Sequence, residues 1–325
     1  MLRPICKITF TKDDGSFYEF DFVNSVEIKT SYEIFTDTAK ITLPRKLSFQ
    51  GKSLFTGSGA IFKRGDQIKI ELGYYPNLTT CFDGYVTFVG SSLPVEIECE
   101  DKMFLLKQTT IKKYSVESIS LSDLLKAILP SGIDYNCLDV QLGSFRISNA
   151  TVSKILETLK SDYGFYAYFV DGILHVGLPS DSSDTVTEEF AFEKVIINPD
   201  DLKYQLKDEM FIKIVAISMQ SDNSKKQVEV GDTDGSQRTF YTYNSSDPAL
   251  LDFANLRLSK IKYSGYNGSF LTFGEPFVRH GDIAKLTSTK LPERDGNYII
   301  SSVTRTFGMD GYRQEINLDG LVSGN

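Results

Sequence analysis

Two regions of the chain carry the same series of strand and turn motifs in the same order. In the first half these are 62–72 (FKRGDQIKIEL), 82–90 (FDGYVTFVG) and 95–101 (VEIECED). In the second half they are 277–288 (FVRHGDIAKLTS), 294–303 (RDGNYIISSV) and 312–319 (YRQEINLD). Gly-Asp and Asp-Gly pairs are common turn signals, so chance similarity stays open as an alternative. The shared order of three motifs favours an internal duplication.

The sequence around both copies alternates apolar and polar residues with the period of a β-strand. Inward positions predicted in the first half are Ile8, Phe10, Tyr18, Phe20, Phe22, Val26, Ile28, Ala39, Ile41, Leu43, Ile68, Ile70, Leu72, Val95, Ile97 and Cys99. Strand patterning resumes at Phe190, continues through Val215, Ile217 and Met219, and returns from Ser269 to Leu318. Short strands separated by turn residues are typical of a small barrel or sandwich.

Helical patterns lie between the two β halves. Ser120, with Asp123 three residues later, predicts a capped helix whose inner face is Leu121, Leu124, Leu125, Ile128 and Leu129. A second helix is predicted from about Thr151 to Gly164, with Val152, Ile155, Leu156 and Leu159 inward. Asp171-Gly172 then predicts a two-residue hairpin turn.

A third helical pattern interrupts the second β half. Asp247 is predicted to cap it, and Pro248 to be its first residue. Its predicted inner face is Leu251, Ala254, Leu258 and Ile261.

Together these patterns predict an α+β, mainly β fold, with two similar small β-barrel domains joined by an α+β insert. A chain of 325 residues is long enough for several domains. The predicted domains are a first barrel at 1–101, an α+β insert at 102–180 and a second barrel at 181–325. The second barrel uses about 181–220 and 266–325, with an inserted strand and helix segment at about 221–265. The stretch 180–184 is predicted to be a linker.

The composition argues against several functional classes. The chain has 35 basic and 43 acidic residues, a net charge of −8, and no basic cluster longer than pairs such as Lys112-Lys113. Specific nucleic-acid binding, which needs clustered basic residues, is therefore not expected.

We expect no membrane-spanning segment and no export signal, so that the protein is made in a bacterial cytoplasm. No CxxC pair occurs among the four cysteines, which are Cys6, Cys81, Cys99 and Cys137. We predict that Cys6, Cys81 and Cys99 are small core side chains.

Candidate catalytic groups are few. His175 and His280, the two histidines, fall in different parts of the sequence, and a metal site built from them is not expected. The carboxylate pairs Glu98 with Glu100 and Glu188 with Glu189 could in principle serve a glycosidase, but a solvated strand face is the preferred interpretation. We predict that the chain is not an enzyme, with no catalytic, cofactor-binding or metal-binding residues and no cofactor.

Two alternatives remain open at this point. Tyr163, Tyr166 and Tyr168 cluster around one predicted hairpin and could form a carbohydrate-binding or host-surface adhesion platform, although core packing is preferred. The scattered carboxylates leave a peptidoglycan hydrolase associated with a tail as a second alternative.

The layout resembles the baseplate hub and late-control tail proteins of contractile-tailed phages and prophages, which are related to the N-terminal hub part of type VI secretion spike proteins. The residues that carry the resemblance are 64–74, 81–90, 95–101, 148–177, 281–288, 295–307 and 311–318. The acidic pair Glu100-Asp101, followed by Leu105-Leu106, also fits this family.

The resemblance implies a virion structural protein of the tail or baseplate. It implies a homotrimer whose duplicated barrels approximate six-fold symmetry and join the hexameric tail tube to the trimeric spike. The expected partners are the tail tube protein, the spike and other baseplate proteins. Because the sequence reaches Asn325 without an OB-fold or needle, the spike is expected to be a separate chain.

Overall fold

The computed structural model describes residues 3–49, 52–56, 61–177, 185–222 and 224–324. The fold is α+β and mainly β, as predicted. The predicted linker at 180–184 lies outside the described residues, as does the predicted boundary at 180/181. The division of the chain into three domains stays a prediction.

The first β half contains nine strands. They are β1 (Pro4–Thr11), β2 (Phe17–Phe20), β3 (Ser25–Ser31), β4 (Thr38–Leu43), β5 (Lys46–Phe49), β6 (Lys52–Phe55), β7 (Gln67–Tyr74), β8 (Asn77–Val89) and β9 (Val95–Glu100). Apart from the β5–β6 hairpin they pair in the order β3-β4-β9-β8-β7-β1-β2. Alternation along the strands buries one face, and Ile8, Ile70 and Ile97 are fully buried in its core.

Within this half, the predicted inward face of FYEFDF is wrong at one residue. Phe20 is buried, but Phe22 follows the end of β2 and is 61% exposed. The strand stops two residues earlier than its alternation suggests, so Phe22 has no strand neighbour to cover it. Cys6, Cys81 and Cys99 are buried free cysteines, which confirms their prediction as small core side chains.

The insert contains helices and short sheets. Its elements are α1 (Met103–Gln108), β10 (Thr110–Ser120), α2 (Leu121–Ile128), β11 (Tyr135–Cys137), β12 (Gln141–Thr151), α3 (Val152–Tyr163), β13 (Tyr166–Val170) and β14 (Ile173–Gly177). Strand β10 pairs with β12, and β11, β14 and β13 form a second small sheet.

Local signals in the insert form the predicted structures. The Ser120 hydroxyl accepts from the Asp123 amide at 3.0 Å and donates to its carboxylate at 2.7 Å, so the capping pair is confirmed. Gly164 ends α3 in the left-handed region at φ 73°. Asp171 and Gly172, with φ 49° and 79°, connect β13 to β14 as a two-residue hairpin turn.

The second β half and its insertion complete the chain. Their elements are β15 (Thr187–Ala191), β16 (Ile196–Asn198), β17 (Leu202–Gln205), β18 (Ile212–Met219), β19 (Lys225–Gly231), β20 (Ser236–Tyr243), α4 (Asp247–Ile261), β21 (Gly265–Phe273), β22 (Ile283–Thr287), β23 (Gly296–Gly308) and β24 (Gly311–Gly324). Strands β22, β23 and β24 form an antiparallel meander, β21 pairs with β24, and β16 and β17 pair with β21.

The insertion in this half begins earlier than the sequence suggests. Strand β18 was expected to belong to the second barrel, but it pairs with β19 and β20 in a separate three-stranded sheet that α4 covers. We call β18, β19, β20 and α4 the inserted sheet. An alternating apolar strand shows that one face is buried, but not which sheet it joins.

The third helix also differs in detail from its prediction. Its N-cap is Ser246, whose hydroxyl accepts from the Ala249 amide, and Asp247 is the first helical residue. Leu250 is fully buried with Ala254, whereas Leu251 is 44% exposed. The helix therefore begins one residue earlier than predicted, and its buried stripe starts at Leu250 and not at Leu251.

None of the described helices is long and apolar enough to cross a membrane.

Candidate functional site

The two β halves share one continuous sheet. Strand β3 of the first half pairs with the C-terminal part of β23 of the second half, from Ser31 opposite Ser302 to Val26 opposite Phe307. The Ser31 hydroxyl donates across this junction to the Ser301 carbonyl at 3.1 Å. Tyr312 of the second half is fully buried in the core of the first. The junction between the halves is therefore a backbone ladder with a shared core.

The Gly-Asp turns of the two halves make the same backbone hydrogen bonds. In the first turn, the Gly65 amide donates to Val86 O at 2.8 Å, and the Val86 amide donates to Asp66 O at 2.9 Å. In the second, the Gly281 amide donates to Ile300 O at 2.8 Å, and the Ile300 amide donates to Asp282 O at 2.9 Å. Both glycines have positive φ, 95° and 88°, which explains why glycine stands at each position.

The aspartates of these turns also play matching roles. The Asp66 carboxylate accepts the Lys63 amide at 2.7 Å, and the Asp282 carboxylate accepts the Arg279 amide at 2.7 Å. Both aspartates are largely buried. In addition, Asp66 forms an ion pair with Lys12, whereas Asp282 accepts the Val186 amide at 3.1 Å. Each carboxylate thus fixes its turn against a neighbouring segment.

A β-bulge follows each turn at the equivalent place. The register of β8 against β9 shifts between Val86 and Phe88, and that of β23 against β24 shifts between Ile300 and Ser302. The bulged residues are Thr87 and Ser301. Their hydroxyls donate to the opposite strand, to Glu98 O at 3.0 Å and to Asn317 O at 3.3 Å.

The similarity extends over six strands. The order β3-β4-β9-β8-β7-β1 in the first half corresponds to β17-β21-β24-β23-β22-β15 in the second. One pairing differs, because β1 runs antiparallel to β7 whereas β15 runs parallel to β22. The inserted sheet lies between β17 and β21, where the first half has only the short loop from β3 to β4. Shared turns, bulges and strand order indicate two copies of one β unit, which chance occurrence of turn residues does not explain.

A buried cation lies beside the junction. Arg305 of β23 is 1% exposed, donates to Val278 O and lies over the Phe277 ring at 4.3 Å. Its Nε has no hydrogen-bond partner within the described part of the chain. No sequence motif singles out this residue, although its alternation with Val303 and Phe307 places a charge at an inward position.

Two carboxyls, that of the buried Asp101 and that of the half-buried Asp37, lie near this arginine. Asp37, in the loop after β3, donates its amide to the Asp101 carboxylate at 3.3 Å, and the Met103 amide donates to Asp101 at 2.9 Å. Burial raises the pKa of Asp101 to about 7. Burial, followed by the neighbouring Asp101, also raises the pKa of Asp37, against the lowering effects of the Ser31 amide and Arg305.

A cavity of about 340 Å³ opens where the first half, the insert and the second half meet. Its lining includes Asp37, Asp101 and Arg305. The hairpin turn of the insert closes one side, since Arg279 donates to both Asp171 carboxylate oxygens at 2.8 Å and Lys102 donates to Gly172 O at 3.1 Å. These contacts join all three parts of the chain around one polar centre.

The structure brings the two histidines together, although they are far apart in sequence. His175 stacks on the Tyr168 ring with centroids 5.6 Å apart, and His280 meets the same ring edge-on at 5.2 Å. Burial, then Arg305 and Arg279, lowers the pKa of His280 to about 4. Across the described ranges, no three His, Cys, Asp or Glu side chains are grouped so that they could hold a metal ion.

The candidate carboxylate pairs lie away from this cavity. Glu98 and Glu100 share the outer face of β9, and Glu100 forms an ion pair with Lys107 at 2.9 Å. Glu188 and Glu189 lie on β15, where Glu189 accepts from the Thr287 hydroxyl at 3.1 Å. Neither pair borders the junction cavity.

The three tyrosines of the insert are mainly packing residues. Tyr163 is buried and donates to Leu142 O at 3.2 Å. Tyr168 is buried between the histidines, and Tyr166 packs edge-on against Tyr32 at 6.0 Å. Their rings are used by contacts within the chain, so they do not form an open platform for a sugar.

No known family's sequence profile matches this chain, and no curated protein matches it in sequence. Solved structures are similar in fold. The tail protein from Neisseria meningitidis MC58 has a TM-score of 0.63 at 15% identity, over 97% of this chain and 96% of that one. The 43 kDa tail protein of prophage MuSo2 from Shewanella oneidensis has a TM-score of 0.61 at 15% identity, over 97% and 98%.

A third similar structure comes from a secretion system. The E. coli c3393 protein is a component of the type VI secretion system and is structurally similar to the T4 bacteriophage tail proteins gp27 and gp5. It has a TM-score of 0.56 at 12% identity, over 92% of this chain and 73% of that one.

The fold is therefore similar to that of these two tail proteins and of this type VI secretion component. Among these, the two tail proteins match this chain over nearly their whole lengths as well as its own.

Proposed function

We propose that this chain is a structural hub protein in the tail of a phage or a phage-like contractile injection machine. Three copies form a ring with six similar β units, which joins a six-fold tail tube to a three-fold spike. The tube protein, a separate spike and other baseplate proteins are its partners. The protein is made in the bacterial cytoplasm and acts in the assembled tail, without catalysis.

The duplicated β unit is the observation that carries this proposal. A trimer can present six-fold features only if each subunit supplies two equivalent surfaces. The repeated turns around Asp66 and Asp282, and the repeated bulges at Thr87 and Ser301, give each chain two such units. Similarity to tail proteins over 97% of the chain supports the same proposal.

Copurification with a tube protein tests the proposal. The chain is coexpressed with the tail-tube protein of the same machine, and the mass of the complex is measured by light scattering after size exclusion. We expect three copies of this 36.5 kDa chain bound to one tube ring. A monomer at every concentration, with no tube protein retained, would contradict the proposal.

A further inference from the structure

The internal repeat gives six strands of the first half an equivalent strand in the second half. Val86 corresponds to Ile300 through the Gly-Asp turns, so Phe88 corresponds to Ser302, the first residue after the bulge. Strand β3 corresponds to β17 in the same way, because each pairs antiparallel with the equivalent strand, β4 or β21.

The register fixes this second correspondence to the residue. In the first half, Cys99 of β9 lies opposite Val86 of β8 and Ala39 of β4. In the second half, Leu318 of β24 lies opposite Ile300 of β23. The neighbouring Asn317 lies opposite Ser269 of β21, so Leu318 lies opposite Gly268. Ala39 therefore corresponds to Gly268. Their partners on the next strands are Ile28 and Leu202, so Ser31 corresponds to Gln205.

Within one chain, β3 pairs with β23 directly after the bulge. The equivalent stretch of β8, Phe88–Gly90, pairs with β9 on one side only. Likewise β17 pairs with β21 on one side only. In the described part of the chain, the second edge of each strand has no ladder partner. The end of β8 is equivalent to the paired part of β23, and β17 is equivalent to β3. Each of them has an open edge where its equivalent takes part in the β3–β23 junction.

Exposed apolar side chains flank both open edges. Phe88 and Leu93, at the end of the β8–β9 hairpin, are 54% and 51% exposed. Ile197 and Leu206, on either side of β17, are 42% and 48% exposed. Open strand edges with apolar neighbours are templates for pairing with another chain.

We propose that a second copy of this chain pairs its β17 edge with the end of β8, repeating between subunits the β3–β23 junction found within each subunit. The inferred register places Phe88 opposite Gln205 of the other copy, because Ser302 lies opposite Ser31 in the internal junction. Val89 then lies opposite Tyr204. This deepens the proposed function and rests on it, since it names the surfaces through which the subunits meet.

This contact joins two different surfaces of the chain, so the subunits associate head-to-tail. Such a contact generates a closed ring when the rotation between neighbouring subunits is a whole fraction of a full turn, as it is in a trimer. It has fewer ladder bonds than the internal junction. The β8–β9 hairpin turns after Gly90, whereas β23 continues to Gly308. Side-chain contacts of Leu93 and Leu206 supply the remainder of the interface.

Disulfide trapping tests the register. The chain carries Phe88→Cys and Gln205→Cys in a Cys137→Ser background, because the other three native cysteines are buried. Residues directly opposite in an antiparallel pair have Cβ atoms about 4.5–5.5 Å apart, close to disulfide geometry. We expect oxidation to give covalent dimers and trimers on a denaturing gel.

The matched control moves one cysteine to the opposite edge of the first half. Phe22→Cys replaces Phe88→Cys, since Phe22 is similarly exposed but lies after β2. Cross-links from this control at equal or higher yield, in protein that light scattering shows to be trimeric, overturn the inferred interface and leave the proposed function intact. Monomeric mass with no cross-link, in the presence of the tube protein as well as in its absence, overturns both.

A second pair of variants measures the contribution of the apolar edge. Phe88→Asp is expected to weaken self-association at least tenfold, because it places a charge in the interface, whereas Phe22→Asp is expected to leave it unchanged. Circular dichroism checks that both variants are folded. The reverse order of effects assigns the interface to the β2 edge and overturns the proposal.

Discussion

Replacement of Asp282 by alanine removes the acceptor of two backbone hydrogen bonds in the second Gly-Asp turn. The carboxylate holds the Arg279 amide at 2.7 Å and the Val186 amide at 3.1 Å, and Asp282 is 8% exposed. A donor left unsatisfied in a buried site costs about 1–3 kcal/mol. Two such donors predict that Asp282→Ala lowers the free energy of unfolding by about 2–6 kcal/mol.

Urea unfolding followed by far-ultraviolet circular dichroism measures this loss. Asp282→Asn is the matched control, because its amide oxygen retains one acceptor, and we expect it to lose less than half as much. Asp66→Ala should behave like Asp282→Ala if the two turns are equivalent. Unfolding midpoints of both alanine variants equal to that of the unchanged chain would refute the structural role of these carboxylates.

Two further predictions concern the junction and the insert. Asp101→Asn is expected to become more stable relative to the unchanged chain as pH rises from 5 to 8, as thermal unfolding at each pH would show. Gly164→Ala is expected to cost at least twice the roughly 1 kcal/mol of Gly132→Ala, measured by the same urea titration.

The sign of the pH effect follows from the raised pKa of Asp101. The folded chain keeps this proton up to about pH 7, whereas the unfolded chain releases it near the ordinary value of 3.8. This contribution to stability is complete below pH 3.8 and is lost as pH rises through 7. The change corresponds to about 4 kcal/mol as an upper limit, because Asp37 shares the equilibrium. An Asp101→Asn difference that stays constant with pH contradicts this account.

The glycine comparison separates backbone strain from crowding. Gly164 and Gly132 both have positive φ, 73° and 87°. An added Cβ at Gly164 would lie 2.6 Å from Tyr241 Cβ, whereas one at Gly132 would meet nothing within 4 Å. Equal losses at the two sites would show that the packing of Tyr241 adjusts without cost.

Features set by neighbouring residues could be predicted from the sequence. The capping pair at Ser120, the end of α3 at Gly164 and the hairpin turn at Asp171 each depend on a few adjacent side chains and their backbone preferences. The Gly-Asp motifs are recognisable in the sequence for the same reason, because a turn that requires positive φ favours glycine.

Features set by distant residues could not be predicted in this way. The β3–β23 ladder joins residues about 270 positions apart, and alternation reports only that each strand has a buried face. For that reason β18 was assigned to the wrong sheet. One feature of the sequence does indicate that Arg305 is buried, because the strand alternation places its charge at an inward position. No feature of the sequence indicates that Asp37 lies beside Asp101, since each residue is next to an ordinary strand end.

Electron microscopy of the assembly with its tube protein tests the central claim most directly. Averaged views down the axis are predicted to show three copies of the chain forming a ring of six similar β lobes at one radius. A two-fold dimer, or a trimer whose two β halves lie at different radii, would contradict the account.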